Sequence, residues 1–175
     1  MRLKNGGNMK DTDKLQGISE ENFKQGMRQF ASAVNVITVK YGDIQDGLTA
    51  TAVCSVSALP PQLLICVHQE ASAHEQLLKS GKFGLNVLSS KQESIAKRFA
   101  GIDNSKREER YDIGHWTQLT TDSPILVDAL VGFDCEIINS VTAGTHSIII
   151  GHIVDVRYGD GTPLVYKDGK FIELK

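Results

Sequence analysis

A chain of 175 residues can bury one sizeable core, and 19 basic against 21 acidic residues leave a net charge of only −2. That balance argues against a broad nucleic-acid footprint, and no apolar run reaches the length of a membrane span. The polar start, MRLKNGGNMKDTDKLQG, lacks the apolar core of a secretion signal. It reads as a mobile tail over 1–17 ahead of a single domain over 18–175. Cys54, Cys66 and Cys135 are odd in number and set in apolar strands. They read as reduced core thiols, which suits a cytoplasmic protein.

The elements follow in chain order. Ser19 can cap a helix whose first turn holds Glu20 and Glu21, with Phe23, Met27, Phe30 and Ala31 as its buried stripe. Val34 to Val39 reads as a strand and 41–47 as a polar turn. The segment 47–67, GLTATAVCSVSALPPQLLICV, then alternates small apolar residues with hydroxyls. Leu48, Ala50, Ala52, Cys54 and Val56 would face one way. Thr49, Thr51, Ser55 and Ser57 would face the other, broken only by Val53. Pro60-Pro61 halts the ladder, and an apolar strand follows from Leu63 to Val67.

Ser72 and Glu75 fit a capping box for a short helix that Gly81 ends. Phe83 to Leu88 is a strand. Ser90 and Glu93 repeat the capping box, opening a helix with Ile95, Ala96 and Phe99 inward. Residues 101–115 are charged, lack a period and read as a mobile loop. In 131–141, Val131, Phe133, Cys135, Ile137 and Val141 alternate with Asp134, Glu136 and Ser140. The strand from Thr145 to Tyr158 is the longest. Many strands with few short helices predict a mainly β (α+β) fold, an antiparallel Greek-key barrel rather than a parallel sheet.

Familiar chemical motifs are missing. No G-x-G-x-x-G, P-loop, C-x-x-C, H-E-x-x-H or G-x-S-x-G appears. Six strand residues would hold His146 and His152 about 20 Å apart, too far to share a metal. A barrel without nucleophile or metal cluster suits chemistry carried by a bound cofactor. The hydroxyl row could serve a phosphate or a polar heterocycle, or could be the polar side of an ordinary half-exposed strand.

Five segments in order carry a resemblance. They are FKQGMRQFASAVNVITV at 23–39, the Gly47-Leu48-Thr49 to Pro60-Pro61 run, GKFGLNVLSSKQESIAKRFAG at 81–101, GTHSIIIGHIVDV at 144–156 and PLVYKDGKF at 163–171. Over roughly residues 20–174 the chain resembles the flavin reductase-like domain family, whose members supply reduced flavin to two-component monooxygenases. The resemblance implies the FMN-binding split barrel. It also implies a homodimer with flavin near the subunit seam, and hydride transfer from NADH or NADPH to FMN or FAD. An FMN-binding electron carrier that ignores pyridine nucleotide is the alternative.

By the same resemblance, Thr49, Ala50, Thr51, Ala52 and the Ser55-Val56-Ser57 turn lie along the flavin. Ser72, Ala73 and His74 would stand toward a phosphate, though Ser72 could equally be a simple helix cap. Asn86 would support the site or meet a core partner. Gln92, Arg98 and Phe99 match a recurring family pattern, with a solvated arginine and a core phenylalanine as the plain alternative. Tyr166 would edge the cofactor or sit as a strand-edge aromatic. His146, in the family's G-[DT]-H, would orient nicotinamide, while its strand alone suggests a packed histidine on the face of Ile148 and Ile150.

Overall fold

The computed structural model describes residues 17–174, so the expected tail lies outside the described residues except for Gly17. Helix α1 (Glu20–Met27) opens as expected, with the Ser19 hydroxyl accepting the Asn22 N–H at 3.3 Å. The helix ends at Met27, so Phe30 and Ala31 of the expected stripe lie beyond it. The stripe is not buried: Phe23 is 54 % exposed and Met27 47 %, with Phe30 64 % exposed just past the helix. The helix lies outside the sheet, and among the described residues no core cluster takes up the stripe.

The strands are β1 (Ser32–Ala33), β2 (Asn35–Tyr41), β3 (Ile44–Ala50), β4 (Val53–Ala58), β5 (Pro61–His68) and β6 (Lys82–Val87). They continue as β7 (Trp116–Thr117), β8 (Ile125–Leu126), β9 (Val131–Ala143), β10 (His146–Tyr158), β11 (Leu164–Lys167) and β12 (Lys170–Glu173). The expected polar turn at 41–47 shrinks to Gly42 and Asp43. Tyr41 already pairs with Ile44, and Gly42 takes a positive φ of 59° to make so tight a hairpin.

Seven strands form an antiparallel sheet in the order β3-β2-β6-β9-β10-β5-β4. β3 and β4 stand at its two edges, yet only Thr51 and Ala52 separate them in the chain. Three peptide steps reach about 10 Å. The sheet must therefore roll until its edges meet at Thr51–Ala52, a barrel split between β3 and β4.

The single hydroxyl strand expected over 48–57 is thus two strands joined at a corner. The alternation does not carry across it. Leu48 packs against the core, whereas Cys54 and Val56 face outward, which also removes Cys54 from the expected core thiols. Cys135 is buried and Cys66 half-buried.

One core cluster, with Ile37, Leu63, Ile65, Phe83 and Ile149, fills the barrel. Gly151 is required there, because a Cβ would sit 2.6 Å from Phe83 Cζ. A second, with Val36, Leu88, Phe99, Leu126 and Leu164, lies under α3 (Glu93–Ala100). Ile95, Ala96 and Phe99 are buried as the helical period predicts. The capping box falls one residue earlier than expected, on Ser89 and Gln92, because a 3₁₀ turn at Ser90–Gln92 precedes the helix. In α2 (His74–Ser80), Gly81 closes the end at φ 68° as expected. At its start the cap position is Ala73, and Ser72 makes no cap, its hydroxyl accepting from Arg110 instead.

Two further expectations change. Asp134 is buried rather than solvated, because Thr121 donates to its carboxylate from both N–H and hydroxyl, while Val141 lies at the surface. On β10, Ser147, Ile149 and Gly151 face the core, so His146, Ile148 and Ile150 occupy the outer face.

Candidate functional site

Thr49, Ala50 and Thr51, at the corner of the split, line a cavity of about 330 Å³. Val34, Ile102 and Phe171 supply its apolar wall. A neighbouring cavity of about 340 Å³ extends beneath Phe23, Met27 and Phe30. The two share Thr51, Tyr166 and Gly169. Thr49 donates its hydroxyl to the Ala96 carbonyl at 2.7 Å, tying β3 to α3. The exposed Thr51 hydroxyl has no partner among the described residues. Tyr166, 37 % exposed, stands edge-on to Phe171 at a ring separation of 5.3 Å. An apolar wall with a few hydroxyls at its rim is the usual make-up of a small-molecule site.

A second group gathers where β5 ends and β10 begins. His146 stands directly opposite His68, their rings 4.9 Å apart and nearly perpendicular. His146 Nδ1 meets Thr145 Oγ1 at 2.9 Å. One residue on, Ser147 Oγ lies 2.8 Å from Nε2 of His74. Cys66 donates its N–H to Ala52 at 3.0 Å, which sets this strand end beside the Thr51 corner. Thr49, Ala50, Thr51 and Tyr166 therefore border the cavity, with Ala52 next to it at the corner. His146 stands on the outer sheet face, and His74 meets the core-facing Ser147.

Ser55, Val56 and Ser57 continue along the edge strand. A bulge between Ser55 and Ser57 breaks the pairing with β5, and Ser57 Oγ accepts the Leu59 N–H at 3.2 Å. Other expected site residues lie behind the wall. Asn86 is fully buried, donating to Val36 O at 3.2 Å and accepting the Leu126 N–H at 2.7 Å. Gln92 accepts from Ser89 N and donates to Asp128 O. Phe99 packs on Tyr111 and Trp116 at ring separations of 5.3 and 5.4 Å. Arg98 pairs with Asp103 and donates to Glu109 O, so it is not a solvated arginine.

The segment expected to be a mobile loop contains a 3₁₀ helix at Arg107–Asp112 that clamps Asp46. Asp46 is wholly buried, and both Arg107 and Arg110 donate to its carboxylate. Tyr111 donates its hydroxyl to Asp46 O at 2.6 Å, and burial, then the Asp46 charge, push its phenol up. Arg110 also reaches Gly47 O at 2.9 Å and Ser72 Oγ at 3.0 Å. The clamp thus links the strand leading to Thr49 with the start of α2. Sequence reading missed Asp46, Arg107 and Arg110. The available signal was the three-residue arginine spacing in REER, which places both on one side of a 3₁₀ turn.

Residues 27–175 match the flavin reductase like domain family. The chain belongs to that family. It is 36 % identical to the FMN reductase (NADH) RutF of Pantoea ananatis over 163 residues, covering 93 % of this chain and 85 % of that protein. Among solved structures it is similar to BorF, the flavin reductase component of a bacterial two-component tryptophan halogenase. The identity is 32 % and the TM-score 0.81, over 89 % of this chain and 98 % of that one. The Streptomyces globisporus C-1027 NADH:FAD oxidoreductase SgcE6, solved with NAD and FAD fragments, is 26 % identical. Its TM-score is 0.81, with 97 % and 98 % covered. The fold is that of the family's split barrels.

Proposed function

We propose that this flavin reductase family member oxidises NADH or NADPH and reduces FMN or FAD, the flavin being held at the Thr49–Ala52 corner. The observation that carries the reading is the cavity there: an apolar wall, hydroxyls at the rim and Thr51 without a protein partner. These groups fit a flavin, whose ring needs apolar contact and whose polar edge and ribityl chain need hydrogen bonds. When bound, flavin supplies the hydride acceptor that no side chain of this chain can provide.

The protein's own work is positional. Thr49, Ala50, Thr51 and Ala52 line the flavin with Ser55, Val56 and Ser57 continuing along it, and Tyr166 closes the edge. Ser72 and His74 stand on the phosphate side, whereas Ala73, expected there as well, is wholly buried in the core cluster and faces no ligand. Asn86, Gln92, Arg98 and Phe99 hold the strands and helix that form the wall. His146 orients nicotinamide. Its exposure at a strand end beside the corner supports that role.

A homodimer completes the reading. Cys54, Leu64, Cys66, Ile148 and Ile150 give the outer sheet face an apolar centre, and the uncovered stripe of α1 adds Phe23 and Met27, with Phe30 just beyond it. A second copy would cover both and place the flavin near the subunit seam. The likeness to BorF, the reductase half of a two-component halogenase, supports delivery of reduced flavin to a separate flavin-dependent enzyme, a monooxygenase in this reading. The free thiols and the lack, among the described residues, of a helix long and apolar enough to cross a membrane are consistent with a cytoplasmic site of action.

The test is a steady-state assay of NADH and NADPH oxidation with and without FMN or FAD. Flavin-dependent oxidation is the expected result. A tightly yellow protein that leaves both nucleotides untouched would mean an electron carrier. His146→Ala should slow turnover far more than it weakens flavin binding. Light scattering in solution checks the dimer.

A further inference from the structure

The pair that His146 makes with His68 has a chemistry of its own. The two imidazoles stand opposite each other on β5 and β10 at 4.9 Å. His68 Nδ1 accepts the Glu70 backbone N–H at 3.1 Å. A nitrogen that accepts carries no proton, so in the neutral ring the proton is on Nε2, a fixed donor. His146 differs. Its Nδ1 faces the Thr145 hydroxyl, which rotates to give or take a hydrogen bond, so its Nε2 can present either character. Gln69 Nε2 donates to the His146 carbonyl at 3.4 Å, tying the two strand ends together. Neither Nε2 has a partner among the described residues, and both rings reach solvent.

A fixed donor beside an adaptable donor or acceptor is complementary to a primary carboxamide, which offers a C=O and an NH₂ side by side. A phosphate or carboxylate offers only acceptors. We propose that His68 and His146 together grip the carboxamide of the nicotinamide ring, with His68 Nε2–H donating to its carbonyl oxygen. This assignment of His68 rests on the reading of His146 as a nicotinamide-orienting residue. It goes beyond that reading by naming the group recognised and the second residue that recognises it.

The experiment measures binding of NAD⁺ and of ADP-ribose, which lacks the nicotinamide, to FMN-loaded wild type, His68→Ala and His68→Gln. One neutral hydrogen bond corresponds to roughly five- to tenfold in affinity. His68→Ala should weaken NAD⁺ by that factor and leave ADP-ribose unchanged. His68→Gln, which keeps an N–H at similar reach, should recover most of the loss. In steady state, KM for NADH should rise while KM for FMN stays put. Imidazole-¹⁵N spectra of wild type should show the Nε2–H tautomer at His68 and a shift there on adding NAD⁺ but not ADP-ribose. Equal weakening of both ligands would mean that the substitution only disturbs the strand end, and would overturn the proposal. So would unchanged NAD⁺ affinity in an active His68→Ala enzyme. If wild type itself never oxidises NADH in the presence of flavin, the underlying functional reading fails instead.

Discussion

The Asp46 carboxylate, with no exposed surface, receives Nη1 of Arg110 from 64 residues further along the chain. Arg107 reaches the other carboxylate oxygen, and the Gly47 N–H caps the first at 2.8 Å. Removing one partner of a buried ion pair leaves a desolvated charge behind, at a cost of about 3–5 kcal/mol. The partial exposure of Arg107 puts Asp46→Ala at the lower end, about 3 kcal/mol, in urea unfolding. Asp46→Asn and Arg110→Met combined should cost clearly less than the sum of the two, the coupling expected of groups in contact.

Gly47 is hemmed in on two sides. An added Cβ would sit 2.5 Å from the Ile37 carbonyl and 2.9 Å from Cε1 of Phe99. The first neighbour is backbone and cannot swing aside. Gly47→Ala should therefore lower stability by about 1–3 kcal/mol, as overpacking does, and shift β3. Thermal unfolding of the flavin-free protein measures the first effect and flavin affinity the second.

The two threonines that line the cavity should behave differently. Thr49→Val strips the Ala96 carbonyl of its 2.7 Å donor and should cost about 1 kcal/mol of stability. Thr51→Val touches no internal bond and should leave unfolding nearly unchanged, while weakening flavin binding about fivefold. Equal flavin affinity in the Thr51 variant would remove that hydroxyl from the site.

Asp103 provides a pH signature. The Ser105 hydroxyl, then Arg98, hold its carboxyl down at about 2 from an ordinary value of 3.8. A depressed acid contributes stability that is full above its unfolded value and fades as pH falls through the folded one. Its share should thus disappear between about pH 4 and pH 2. Carboxyl ¹³C titration should place Asp103 near 2, and Ser105→Ala should move it upward.

Much of the fold was legible because local signals agreed with the tertiary ones. The α3 stripe of Ile95, Ala96 and Phe99 matched its helical period, and Gly81 ended α2 where a left-handed residue was needed. Where the reading failed, the deciding contact lay elsewhere. The α1 stripe is apolar, but among the described residues it stays exposed. Both faces of β10 are apolar, so a period of two could not say that Ile149 points in and Ile148 out. Residues 101–115 have no period because Arg107, Arg110 and Tyr111 are ordered by one buried carboxylate far away in sequence. Of the site, the Thr49–Ala52 corner was visible as a run of hydroxyls. His68 was not, since only the strand register sets it against His146.

The two-residue link at Thr51–Ala52 has a mechanical meaning as well. Beside the core packing of Leu48, Ala50 and Val53, a covalent tether limits how far the two rims of the split can part at that corner. A bulkier guest must slide outward along the groove, since it cannot pry the rims wider. Splicing glycines into the tether would therefore enlarge the aperture without changing a single residue that lines it, making bore width an adjustable dimension of this scaffold.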